Sequence, residues 1–217
     1  MNIYWVVEGV SVEPKVYPAW IKEINPNLEQ AFSMAEVDAN KYYMVSGRGY
    51  PQYKEKIIRA VADVNMMDVF DRLVISVDSE DMSYDEKYIE IENIILDAGM
   101  LKPYSIIVQE CCFESWCLGN RKNVSRNPQS KLLNEYLRFY DVVGEDPSKM
   151  PSIDDDIYNK AQFAFKYLSE CCKEKGSFYN KSDPRYVAHA RFFFHVRKRF
   201  EDTNHVSGMG NFVAAFG

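Results

Sequence analysis

The sequence contains no apolar stretch that approaches the ~20 residues of a membrane span. Its N-terminus, Met1-Asn2-Ile3-Tyr4, lacks the basic flank of a signal peptide, so we expect a cytoplasmic protein without membrane contact. The five cysteines include two adjacent pairs and no CxxC motif. This pattern fits neither a secreted disulfide framework nor a zinc site, and it predicts reduced, buried thiols.

The glycine loops that usually bind nucleotide phosphates are also missing. The segment Ser46-Gly47-Arg48-Gly49 lacks the Lys-Ser/Thr ending of a P-loop and does not match GxGxxG, so no ATPase module is predicted. The three histidines have no cysteine or acidic partner at ligand spacing. A formal net charge of −6 disfavours general coating of polyanions, although charged residues cluster locally.

What the chain does contain is enough apolar sequence for a folded domain, since 47% of its 217 residues are hydrophobic. In the first half, strand-like and helix-like segments alternate. We predict strands at 3–7, 42–45, 72–77 and 104–109, and helices at 14–24, 52–69 and 83–98. This order predicts an α/β fold with a mostly parallel sheet and helices on both faces.

The second part of the sequence predicts no strand. A polar and basic loop is expected at 119–130, followed by helices at about 129–140, 155–174 and 184–201. The glycine-rich, apolar tail at 208–217 is expected to dock on the body or on a partner. We therefore predict a domain at 1–120 with a C-terminal helical addition at 121–217.

Acidic residues follow three of the predicted strands. Glu8 closes the first strand, Asp78-Ser79-Glu80-Asp81 closes the third, and Glu114 comes shortly after the last. Ligands of open α/β sheets bind at the carboxyl edge of the strands, and converging carboxylates attract a hard cation such as Mg²⁺. Asp78 and Glu80 would lie on one side of an extended segment.

Each acid also has a purely structural interpretation. Glu8 can be a solvated strand end, and Asp81 can cap the next helix. Glu13 and Glu114 can be acids at helix starts, where the helix dipole favours them.

The segments Glu8-Gly9-Val10-Ser11-Val12-Glu13-Pro14, Asp78-Ser79-Glu80-Asp81 and Phe113-Glu114-Ser115-Trp116 together resemble the Toprim fold of topoisomerases, primases and overcoming-lysogenization-defect nucleases. The likeness is greatest to the small stand-alone RloB-like group and covers roughly residues 1–120. The usual Asp-x-Asp of the family is Asp78-Ser79-Glu80 here.

The resemblance implies hydrolysis of DNA or RNA phosphodiester bonds with Mg²⁺ or Mn²⁺, in bacterial or phage defence. It implies that Glu8 acts in proton transfer or metal binding and that Asp78 and Glu80 hold the metal. A further acid of the family corresponds to Glu13, Asp81 or Glu114. It also leaves open a separate ATPase partner, assembly into homo-oligomers, a non-catalytic regulatory subunit of the same fold and a primase-like nucleotidyl transferase.

Basic residues could contact the phosphates of a nucleic acid. Arg121, Lys122, Arg126 and Lys131 follow the third acidic element, and a second basic stretch between 185 and 199 contains no acid. The candidate nucleic-acid contacts are Arg48, Arg121, Lys122, Arg191 and Arg197. The alternative for each basic run is a solvated helix face. Phe192, Phe193 and Phe194 are expected to belong to the core.

Overall fold

The computed structural model describes all residues from Met1 to Gly217. The chain divides into two compact units, the first formed by 1–77, 84–108 and 211–217, the second by 78–83 and 109–210. None of the helices combines the length and the apolar character that crossing a membrane requires.

Unit 1 is built on a sheet of five parallel strands in the order β2-β3-β1-β4-β5. The strands are β1 (Ile3–Val7), β2 (Glu29–Ala31), β3 (Lys41–Ser46), β4 (Arg72–Asp78) and β5 (Tyr104–Gln109). All four predicted strands are confirmed, and so is the α/β class. The short β2 was not predicted, because three residues with one buried side chain give no readable periodicity.

Helices cover both faces of this sheet, as predicted. They are α1 (Glu13–Ile24), α2 (Gln52–Met66), α3 (Tyr84–Asp97) and, from Asn211 onward, α9 (Gly208–Phe216). Trp5 points to one face, where its ring stacks on Tyr17 of α1 at 5.1 Å between centroids. Tyr4 and Val6 point to the other face and share a core with residues of α2 and α3. The alternation of side chains along β1 therefore separates two apolar layers.

Two helix ends in unit 1 differ in how clearly the sequence marks them. Helix α3 ends before Gly99, whose positive φ of 75° completes the predicted stop. Helix α2 ends at Met66 instead of residue 69, because Met67 is already extended. This extension brings Phe70 into the core, and no glycine or proline in the sequence announces it.

Unit 2 contains the helices α4 (Phe113–Leu118), α5 (Lys131–Phe139), α6 (Lys160–Glu174), α7 (Arg185–Ala188) and α8 (Ala190–Thr203). Helix α6 begins later than the predicted 155, because Asn159 and Gln162 form a capping box there. The predicted helix at 184–201 is two helices. His189 interrupts it with an extended backbone, and its Nδ1 accepts a hydrogen bond from the Arg191 amide at 3.2 Å.

All five cysteines lie in unit 2 and are free and buried, as expected. Phe192 and Phe193 are buried, which confirms their assignment to the core. The same prediction is wrong for Phe194, which is 57% exposed. It follows two buried positions on α8, and three consecutive residues span about 200° of a helix, which is more than the apolar stripe of a partly exposed helix covers.

Candidate functional site

The strand order of unit 1 reverses between β1 and β4. From β1 the chain adds β2 and β3 on one side of the sheet and then β4 and β5 on the other. In open α/β sheets the crevice outside the carboxyl ends at such a switch point is the usual ligand site. Glu8 immediately follows β1, and Asp78 is the last residue of β4.

The backbone at Glu8 is fixed by two hydrogen bonds. Its amide donates to the Ser76 carbonyl at 3.0 Å, and its carbonyl accepts from the Gly49 amide at 3.0 Å. The Glu8 side chain is half-buried. These bonds order the backbone at the end of β1, whereas the rotamer of the Glu8 side chain is not set by them.

The carboxylate of Glu13 lies close to the backbone of Gly9. A methyl group at Gly9 would collide with the carboxylate of Glu13, so that side chain would have to move to accommodate it. Glu13 is buried in the first turn of α1, where the positive end of the helix dipole stabilises its charge. Its place agrees with the helix-start interpretation.

A polar network of unit 1 was missed by the sequence reasoning. The buried Lys87 ammonium donates to Glu90 at 2.9 Å and to the Tyr53 hydroxyl at 3.3 Å, and Lys54 donates to Glu90 at 2.7 Å. Burial alone would raise the pKa of Glu90, but the two lysines outweigh burial and lower the pKa. Glu8 acts electrostatically on Tyr53. The i,i+3 spacing of Lys87 and Glu90 was the only available sequence signal.

The acidic segment of unit 2 is a turn held by backbone hydrogen bonds. The Ser79 amide donates to Gln109 and the Glu80 amide to Cys111, each at 2.9 Å, while the Ser79 hydroxyl accepts from the Cys111 amide at 2.8 Å. Glu80 and Cys111 have positive φ values of 53° and 66°. The extended conformation thus ends at Asp78, and strand alternation no longer determines the direction of Glu80. Asp78 is half-buried, and Glu80 and Asp81 are exposed.

Glu114 is engaged by two partners within unit 2. Its carboxylate is 2% exposed, accepts a hydrogen bond from the Tyr179 hydroxyl at 2.9 Å and pairs with Lys181 at 3.5 Å. Burial, with Glu114 beside it, raises the pKa of Tyr179. Lys149 pairs in the same way with Glu110. Lysines therefore offset the charge of two of the acids that follow β5.

The Glu114 contacts lead to a stability prediction. Glu114→Ala should lower the free energy of unfolding by about 2–4 kcal/mol, because Tyr179 and Lys181 lose a buried partner. Glu114→Gln should cost less, since the amide oxygen still accepts from Tyr179. Urea denaturation measures both variants.

The matched control for this pair is Glu135→Ala, which removes an exposed glutamate from α5 in the same unit. It should change stability by less than about 0.5 kcal/mol. A Glu114→Ala variant as stable as this control would show that the buried contacts contribute nothing.

The carboxylate oxygens of these acids are suitable ligands for Mg²⁺, but the acids do not form a preformed metal-binding group. No three His, Cys, Asp or Glu side chains of the chain are grouped to hold a metal. Mg²⁺ keeps several waters and is commonly bound by one or two carboxylates together with substrate phosphates. Asp78, with Glu80 or Asp81 from the same turn, would supply the one or two carboxylates of such a site.

The five candidate nucleic-acid contacts have different surroundings. Arg48 is exposed in the turn after β3 of unit 1. In unit 2, Arg121 donates to the Val143 carbonyl at 2.9 Å, and Arg197 pairs with Glu201 at 2.7 Å. Lys122 and Arg191 are exposed and form no ion pair. Arg199, on the same basic stretch, is buried and binds the carbonyls of Val143 and Glu145, so it is structural.

A cavity of about 600 Å³ in unit 2 brings Lys122 and Arg191 together. Its lining is completed by Asn120, Asn123, Arg185, Tyr186, His189, Phe192 and His195. No acidic side chain lines it. Lys122 and Arg191 belong to two separate basic runs of the sequence. Because 68 residues lie between them, no local pattern predicts that they line the same cavity.

The fold defines the chain as an α/β protein with a parallel, Rossmann-like sheet. Comparison with protein families, with curated proteins and with solved structures finds no match for this chain.

Proposed function

We propose that the protein is a Mg²⁺-dependent Toprim-like nuclease that hydrolyses phosphodiester bonds of DNA or RNA, with a role in bacterial or phage defence. The observation that carries the proposal is the switch point between β1 and β4, two parallel neighbouring strands that each lead into an acid. A second support is the left-handed backbone of Glu80, which it shares with five other non-glycine residues and which costs about 1–2 kcal/mol.

In this proposal Asp78 binds the metal through its carboxylate, with Glu80 or Asp81 as a second ligand. A bound Mg²⁺ would neutralise the charge that develops on the scissile phosphate and promote attack by water. Glu8 takes the proton-transfer or metal-binding role that the resemblance implies, on a backbone already fixed by Ser76 and Gly49.

The proposal is tested by incubating the whole protein with labelled single-stranded and double-stranded DNA and RNA. Cleavage should require Mg²⁺ or Mn²⁺ and stop when EDTA is added. A partner ATPase belongs to the same proposal, so the assay is repeated in a lysate of the source cells with ATP. Metal-independent cleavage, or no cleavage in either setting, would contradict the assignment.

A second candidate is a non-catalytic subunit that keeps the same fold and acts through a partner. The ion pairs of Glu110 with Lys149 and of Glu114 with Lys181 favour it, because acids that are already neutralised do not need a cation. Manganese titration separates the two candidates. A nuclease should bind Mn²⁺ in a way that depends on Asp78, whereas a scaffold should not.

A further inference from the structure

We infer that the basic cavity of unit 2 is a binding pocket for a phosphorylated nucleoside, either a free nucleotide or the phosphorylated end of a strand. The inference shares Lys122 and Arg191 with the candidate nucleic-acid contacts, but it concerns binding alone and does not require the acids to catalyse cleavage. It rests on the charge, the shape and the polar groups of the cavity between residues 120 and 195.

The charge of the cavity suits a phosphate monoester. Lys122 and Arg191 have no acidic partner, whereas Arg185 is neutralised by Asp183 through two contacts of 2.7 Å. Two free cations match the nearly double negative charge that a monoester carries at neutral pH. A guanidinium can also donate two parallel hydrogen bonds to one phosphate group.

The two histidines add polar groups to the lining of the cavity. Nδ1 of His189 accepts a hydrogen bond from the Arg191 amide, so Nε2 is the ring nitrogen that remains for a ligand. His195 is half-buried, and burial, with Arg191 and Lys122 nearby, lowers its pKa. Because Lys122 and Arg191 both help to lower the pKa of His195, the three side chains share a region of positive potential. A bound anion would reduce that potential.

The remaining wall suits a nucleobase. The ring of Tyr186 is half-buried, packs edge-on against Phe192 at 5.6 Å and is held in place by a 2.9 Å hydrogen bond from its hydroxyl to Asn123. Bases stack on aromatic side chains regardless of their sequence. A volume of about 600 Å³ is in the range of small-molecule sites and is far larger than a phosphate ion needs.

The lining of the cavity also includes a buried side-chain amide. Asn120 is 4% exposed, and its Oδ1 accepts from the Lys122 amide at 3.1 Å. That bond fixes the orientation of the Asn120 side chain, whose amide belongs to the polar part of the cavity lining.

The experiment is a calorimetric binding titration of the whole protein in EDTA, so that no metal-dependent cleavage contributes. The probes are AMP, adenosine, inorganic phosphate, and a tetranucleotide with and without a 5′-phosphate. AMP or the phosphorylated tetranucleotide should bind at least about tenfold more tightly than its unphosphorylated counterpart. Binding of AMP alone identifies a free nucleotide, and binding of the phosphorylated tetranucleotide alone identifies a strand end.

Variants localise the binding. The double variant K122Q/R191Q should reduce affinity at least about tenfold, since charge-assisted hydrogen bonds to phosphate are lost. Tyr186→Phe should bind normally if the ring stacks, while Tyr186→Ala should bind less tightly. The matched control is K173Q/K198Q, which removes two exposed, paired cations of the same unit that lie outside the cavity lining.

Three results would overturn the inference. These are equal affinity for AMP and adenosine, inorganic phosphate binding as tightly as AMP, and an equal loss of affinity in the control double variant. Circular dichroism establishes that each variant is folded. Because EDTA removes any metal, loss of nuclease activity and loss of nucleotide binding remain separate outcomes.

Discussion

Replacing Asp78 by Asn should reduce metal-dependent cleavage at least about 100-fold while the protein stays folded. The amide keeps the size of the side chain and removes the charge that attracts a hard cation. Asp78 is the last residue of β4 at the switch point of the sheet, so no alternative carboxylate occupies the same strand position. Initial cleavage rates at saturating Mg²⁺, with Mn²⁺ binding by calorimetry, measure the effect.

The control for this change is Asp68→Asn, which makes the same substitution at an exposed residue after α2. It should leave cleavage and Mn²⁺ binding unchanged. Glu8→Gln should also lower the cleavage rate, and its effect on Mn²⁺ affinity separates a ligand from a proton-transfer group. A folded Asp78→Asn protein that cleaves at the normal rate would exclude this carboxylate from the chemistry.

Replacing Phe212 by Ala should lower the free energy of unfolding by about 3–5 kcal/mol, the usual cost of removing a fully buried aromatic ring. Phe212 is 0% exposed and belongs to the part of α9 that lies in unit 1. Its ring centroid lies 5.0 Å from that of Tyr17 and 5.3 Å from that of Phe216. Trp5 and Trp20 both lie 6.2 Å away.

Helix α9 is also anchored by polar contacts, so the cavity left by the substitution should not collapse easily. Asn25 donates to the Phe216 carbonyl at 3.2 Å and Arg72 to the Ala215 carbonyl at 3.5 Å, which satisfies the end of the helix. Guanidinium denaturation measures the loss, and Phe194→Ala, at an exposed position, should cost less than about 1 kcal/mol. Equal stability of the two variants would mean that α9 does not complete the core.

The docking of the C-terminal tail was predicted from its apolar composition, but its helical form was not. Three glycines in ten residues disfavour an isolated helix. One of them, Gly210, is needed because a methyl group there would meet the Phe200 ring at 3.1 Å or less. Burial of Phe212 and Phe216 outweighs the poor helix propensity, which is a contribution of tertiary packing.

The sequence by itself determined four of the five strands and the alternation with helices that makes the sheet parallel, because apolar runs and helical periodicity are local properties of each segment. It also determined which acids follow β1 and β4, since strand ends are read directly from where the apolar run stops. The burial of the cysteines follows from the same reasoning, because an unpaired, reduced cysteine behaves as a small apolar side chain.

The tertiary structure alone decided which partners the charged side chains have. Glu114 binds a tyrosine 65 residues away, and Lys122 meets Arg191 across one cavity, although nothing near either residue in sequence indicates these contacts. Arg199 lies in a basic run yet is buried. The physical reason is that the energy of a charge depends on its burial and on its nearest neighbours in space, and packing brings those neighbours from distant parts of the chain.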